Sequence, residues 1–83
     1  MYLNAGNEEI LKKNIIGVFD LDTATVSKRT RDFLARAEKE GRVRLLTYDL
    51  PRSFILTQEN GEQKIYLSPY SAATLLERAK ETF

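Results

Sequence analysis

The chain has no cysteine and no histidine. Disulfides, zinc sites built on those ligands, and any nucleophile paired with a histidine base are therefore excluded. The remaining chemistry is carboxylate, cationic and phenolic. Asp20 and Asp22 form a D-x-D pair directly after an apolar run, a spacing found at metal and phosphoryl-transfer sites. No further acid stands at a recognisable distance, and Asp favours turns and the first turn of a helix, so the pair reads as structural. Neither a phosphate-cradling G-x-x-x-x-G-K-[ST] nor a dinucleotide-binding G-x-G-x-x-G is present. A Ser or Tyr nucleophile would need a lysine base, and no spacing suggests one. The chain reads as a non-enzyme without metal or cofactor.

The cations are more informative. Net charge is only +1, but between Thr23 and Arg52 eight basic residues face four acidic ones. Lys28, Arg29 and Arg31 fall in the first turns of a predicted helix, where positive charge opposes the helix dipole. Folding does not call for that placement, and contact with phosphate would explain it. Lys12 and Lys13, before a predicted strand, and Arg52, at the start of a hairpin, extend the candidate DNA contacts. The competing reading is a solvated helix face, since Lys28–Asp32, Asp32–Arg36 and Arg36–Glu40 are opposite charges four apart. Tyr48, Tyr66 and Tyr70 could stack on bases, but strand and helix-start packing accounts for them better.

The elements that must hold these residues are legible in outline. With 83 residues the chain is one domain, and at 42% hydrophobic and 30% charged it has the composition of a folded one. MYLNA and Glu8–Lys13 are short extended pieces around a Gly6-Asn7 turn, and Asn14–Asp20 is a strand. Val26, Thr30, Phe33, Leu34 and Ala37 form the apolar stripe of a first helix, capped by Thr23 or Thr25 and closed by Gly41. Arg42–Tyr48 reads as a strand. Phe54–Leu67 is a hairpin about Asn60-Gly61, whose two-residue turn requires positive φ and fixes the register Phe54–Leu67, Ile55–Tyr66, Leu56–Ile65, Thr57–Lys64 and Glu59–Glu62. A last helix starts at Ser68 and Pro69 and buries Ala72, Leu75, Leu76, Ala79 and Phe83. The order β(β)β-α-β-β-β-α predicts an α+β fold, a small, mainly antiparallel sheet with two α-helices.

The predicted strands carry apolar residues on both faces, unlike a sheet half open to water. In the hairpin, Phe54, Leu56, Ile65 and Leu67 share one side, expected to be the core. Ile55 and Tyr66 lie on the other. Two short helices are too few to cover both, so Ile55 and Tyr66 are expected at a contact between copies in a homo-oligomer; a sheet closed on itself as a small barrel is the alternative. Repetition of a modest basic surface around an assembly would combine weak contacts into a continuous track. The first ten residues lack the basic start and apolar run of a signal peptide, and no apolar stretch approaches ~20 residues. With the lack of cysteine, this fits a cytoplasmic protein.

The pieces MY-x-x-x-G, IIGVFD, SFILT and KIYLSPYSAATLLERA together resemble the RemB branch of the bacterial extracellular matrix regulator family (RemA/RemB). The resemblance covers nearly the whole chain and is most specific over Ile65–Ser71 and Thr74-Leu75. It implies a nucleoid-associated transcription regulator of biofilm-matrix genes, with ring-shaped homo-oligomers in the RemA branch around which duplex DNA lies. Two family positions differ here. The arginine before the first long strand corresponds to about Asn14, next to Lys12 and Lys13. The arginine pair before the hairpin corresponds to Asp49 and Leu50, leaving Arg52. The two functions to be separated are a DNA-binding regulator and an oligomeric protein-interaction module whose candidate partner is a related regulator.

Overall fold

A computed structural model describes residues 2–24 and 26–80 of the chain. Its elements are β1 (Tyr2–Asn4), β2 (Glu9–Leu11), a 3-10 turn over Lys12–Asn14, β3 (Ile15–Asp20), α1 (Leu21–Ala24), α2 (Lys28–Lys39), β4 (Val43–Leu45), β5 (Ser53–Glu59), β6 (Glu62–Ser68) and α3 (Ala72–Lys80). The fold is α+β and mainly antiparallel. Four strands form one sheet in the order β3-β5-β6-β4, and β1 and β2 form a separate two-stranded ribbon. Among the described strands only β4 runs parallel to its neighbour, β6.

The β5–β6 hairpin is the centre of the sheet. Asn60 and Gly61 adopt φ of 51° and 80°, the mirror-image turn that matches the twist of paired strands. The observed register is the expected one, from Phe54↔Leu67 through Glu59↔Glu62. β3 departs from simple alternation. A bulge between Ile15 and Gly17 leaves Ile16 half exposed and reverses the side-chain parity after it. Ile15 and Val18 therefore pack on the same face, while Phe19 stacks on Phe54 of the other, with ring centroids 5.0 Å apart.

Both faces of the sheet are covered within the single chain. On one, α2 lays Phe33, Leu34 and Ala37 over Phe54, Ile65, Val43 and Leu67. On the other, the ribbon (Leu3, Ala5, Ile10) and α3 (Leu75) close over Ile55 with Leu46, and Tyr66 packs against this cluster. Ile55 is 0% exposed. The expectation that Ile55 meets a neighbouring copy is thereby corrected, whereas Tyr66 is only half-buried and lines a pocket beside β4. The reason lies in their strand neighbours on the same face: Ser53, Thr57 and Ser68 are all buried, and their small side chains let the ribbon and α3 approach closely. Their hydroxyls are satisfied locally, Ser53 by the carbonyl of Tyr70 at 2.6 Å, Ser68 by that of Ala5 at 2.6 Å and Thr57 by that of Lys64 at 3.2 Å. Gly6 marks the tightest crossing. It adopts φ +143°, and a Cβ there would lie 2.4 Å from the carbonyl oxygen of Leu46.

The helices also refine the sequence reading. α2 starts at Lys28 after Ser27, so Val26 lies outside it and is 77% exposed. Thr23 belongs to the one-turn α1, and Thr25 lies outside the described residues, as does Phe83. The end of α2 is a Schellman motif: the Arg42 N–H donates to Ala37 O at 2.9 Å and the Gly41 N–H to Glu38 O at 3.0 Å, with Gly41 at φ +74°. α3 is capped by Ser71, not Ser68. The Ser71 Oγ accepts the Thr74 N–H at 3.2 Å, and the Leu75 N–H donates to Ser71 O at 3.1 Å. Ser68 still belongs to β6, where its carbonyl accepts the Arg52 N–H at 2.8 Å. The predicted strand Arg42–Tyr48 shortens to Val43–Leu45, and the chain then turns Leu46 into the core and Tyr48 out to solvent.

Candidate nucleic-acid interface

α2 forms because its interior is built from strong helix formers, Arg, Ala, Leu, Glu and Lys, with no Gly or Pro from Lys28 to Lys39. Phe33, Leu34 and Ala37 anchor its inner face, and this fixes which residues point outward. At ~100° per residue, Lys28, Lys39, Arg36 and Arg29 fall within a single ~100° sector that holds one acid, Asp32. All five are exposed. Lys28 and Asp32 pair at 3.0 Å on the open surface, where such pairs contribute little. The expected Arg36–Glu40 pair does not form, because Glu40 instead pairs with Arg42 at 2.7 Å. Among the described residues, Arg29, Arg36 and Lys39 have neither a hydrogen-bond nor an ion-pair partner. From Lys28 to Lys39 this ridge is ~16 Å long.

The other candidate contacts are dispersed. Arg31 sits on the opposite flank of α2 and donates to the carbonyl of Val26 at 3.0 Å, back across the turn that precedes the helix. Lys12 is half-buried, and its Nζ donates to the carbonyl of Ala79 at 2.5 Å. Its charge thus complements the C-terminal end of α3. Lys13 is exposed in the 3-10 turn before β3. Arg52 is exposed at the opposite end of that strand, since Asp20 pairs with Ser53 while Ile15 pairs with Thr57. The two are separated by the length of β3, ~17 Å. Neither Arg36 nor Lys39 stands out from the sequence, where Arg36 reads as a member of charge pairs and Lys39 only adds to the basic count.

Two concavities flank this surface. Between α2 and β3 an apolar groove of about 250 Å³ is lined by Phe19, Ala24, Phe33, Phe54 and Leu56, with Arg29 and Thr30 at its rim. Arg29 is thus drawn toward the groove more than toward the outer ridge. Beside β4, a polar pocket of about 260 Å³ gathers Arg42, Arg44, Lys64, Glu8 and Tyr66. Its cations are already neutralised: Arg42 by Glu40, Arg44 by Glu8, and Lys64 by Glu59 at 3.8 Å. The hydrogen bond to Glu8 pushes the Arg44 guanidinium further above its ordinary value. Burial and the hydrogen bond of its hydroxyl to Glu59 at 2.7 Å push Tyr66 up to about 12.

The remaining chemistry-bearing residues have structural uses. The Asp20 carboxylate accepts the Ala72 N–H at 3.1 Å and so ties the end of β3 to the start of α3. The Arg78 guanidinium lies 4.1 Å from the ring centre of Tyr70, covering one face of it. Tyr48 stands free in solvent. Among the described residues no three His, Cys, Asp or Glu side chains gather as a metal would require. No helix there is long and apolar enough to cross a membrane. No protein-family model and no curated protein matches the chain.

Proposed function

We propose that the protein is a homo-oligomeric DNA-binding transcription regulator of the extracellular matrix regulator kind, acting at the nucleoid and without catalytic activity. The observation that carries this reading is the basic sector of α2. Lys28 opposes the helix dipole and, with Arg36 and Lys39, leaves cationic groups in excess over their single acidic neighbour. A ridge of ~16 Å runs past about five phosphates of one strand. Arg52 and Lys13 add contacts at its margins. The resemblance of Ile65–Ser71 to the matrix-regulator family supports the same function from an independent direction. Base-edge reading is not part of the proposal: lysine and arginine on a helix exterior position a protein on the backbone without reading sequence.

The apolar groove between α2 and β3 favours a second reading, an interaction module that binds protein and not DNA. The two separate in a salt titration. Binding of duplex DNA should weaken steeply between about 50 and 200 mM salt, and Lys28→Gln, Arg36→Gln and Lys39→Gln together should reduce the slope of log K against log salt by about 2.7 per copy. Unchanged slope and affinity in the triple variant remove α2 from the interface. Absence of binding at low salt leaves the interaction module.

A further inference from the structure

Outside the groove, the two most exposed large apolar side chains among the described residues stand in one loop. Tyr48 is 99% exposed and Leu50 89% exposed, on either side of Asp49. Two large apolar side chains so fully in water within three residues are unusual on a monomer. The loop is nevertheless held. Leu46 and Thr47 are buried before it, Ser53 is buried after it, and the Asp49 N–H donates to Thr47 Oγ1 at 2.9 Å. Pro51 keeps Leu50 in the extended region. It is a preorganised apolar projection, and a projection already ordered loses little entropy when it docks.

The groove complements it. At about 250 Å³ it is smaller than the ~300–1,000 Å³ usual for small-molecule sites, and a pair of side chains suits it better than a ligand. Its walls are aromatic and aliphatic, and its rim carries Arg29, whose guanidinium has no partner among the described residues. The projection offers an aromatic, a carboxylate and an aliphatic group in sequence, and the Asp49 carboxylate likewise has no ion-pair partner among the described residues. We propose that the Tyr48–Leu50 loop of one copy docks into the groove between α2 and β3 of a second copy, with Asp49 against Arg29. This rests on the self-association in the reading above and names the surfaces that perform it. The two patches are different surfaces of one molecule, so a reciprocal pair or a closed ring satisfies them, whereas an open chain leaves one of each bare.

Sedimentation of the protein without DNA, at micromolar concentration, tests the contact. The wild type should sediment heavier than its 9.5 kDa monomer. Leu50→Lys should sediment as a monomer with unaltered circular dichroism and urea midpoint, because Leu50 contributes nothing to the core. Arg29→Glu should weaken assembly on the order of tenfold by setting two carboxylates face to face, and adding Asp49→Arg should restore it. An assembly that survives Leu50→Lys, or a charge reversal that fails to rescue, overturns the docking proposal while leaving self-association standing. A monomeric wild type overturns both. Monomeric wild type that binds an acidic–apolar peptide in the groove assigns the groove to a different protein and likewise refutes the self-contact.

Discussion

Replacing Ile55 by alanine tests whether the second face of the sheet is closed inside the monomer. The side chain is 0% exposed and packed among Leu3, Ala5, Ile10, Leu46 and Leu75. The substitution deletes three carbons, a transfer loss of ~2.4 kcal/mol at ~0.8 kcal/mol per methylene. The cavity left behind adds ~1 kcal/mol, because ribbon, sheet and α3 approach from three directions and relax only partly. The expected loss of ~3–4 kcal/mol is a large share of the ~5–15 kcal/mol that holds a small domain together. In a urea titration followed by circular dichroism, the midpoint should fall sharply with little change in slope, and the melting temperature should drop by ~12–30 °C. Ile16→Ala is the internal control. Ile16 has similar chemistry but stands half exposed on the β3 bulge, so its variant should stay within ~0.5 kcal/mol of wild type. If Ile55→Ala unfolds like wild type and instead alters the mass of the assembly, the face is an interface and the account of the core is wrong.

Further outcomes follow from single groups. Ser68→Ala should cost ~1–3 kcal/mol, because the buried carbonyl of Ala5 loses its donor, whereas Ser71→Ala should cost only ~1 kcal/mol for a lost helix cap; thermal melts giving the reverse order would contradict the weight placed on the Ser68–Ala5 bond. Tyr66 keeps its proton in the folded protein up to about 12, against 10.0 for the ordinary phenol, so its contribution is fully present below pH 10 and is lost as pH rises toward 12. Partial exposure limits this alkaline loss to about 1 kcal/mol. Comparing urea midpoints of wild type and Tyr66→Phe across that range checks it, and equal alkaline slopes in the two proteins would show that Tyr66 is not responsible.

The parts of the fold that were legible in the sequence are those governed by local chemistry. Asn60-Gly61 permits one turn geometry, and that turn sets every pair in the hairpin. Gly41 stops α2 for the same kind of reason. What local pattern does not carry is coverage. The β1–β2 ribbon offers only Leu3, Ala5 and Ile10 to the core from a stretch rich in Asn and Glu, and three-residue strands give too little alternation to reveal which face they bury. The bulge at Ile16 inverts parity within one strand, which no periodicity count anticipates. Ser68 has the residue type and the following proline of a cap, but tertiary contact with Ala5 keeps it in the strand. At the candidate interface, spacing alone placed Lys28, Arg29 and Arg31 together, while the helix geometry sends Arg31 to the far flank and joins Arg36 and Lys39 to Lys28. Glu40 was free to choose between Arg36 and Arg42, and the Schellman turn that brings Arg42 alongside decides it.

The central claim, an assembly that holds duplex DNA by its phosphates, is tested most directly by the mass of the protein alone and with a short duplex at low and at high salt. The account predicts a single species heavier than 9.5 kDa without DNA, a heavier complex with DNA at low salt, and release of the duplex as salt rises. A 9.5 kDa species whose mass is the same with and without DNA at low salt contradicts it.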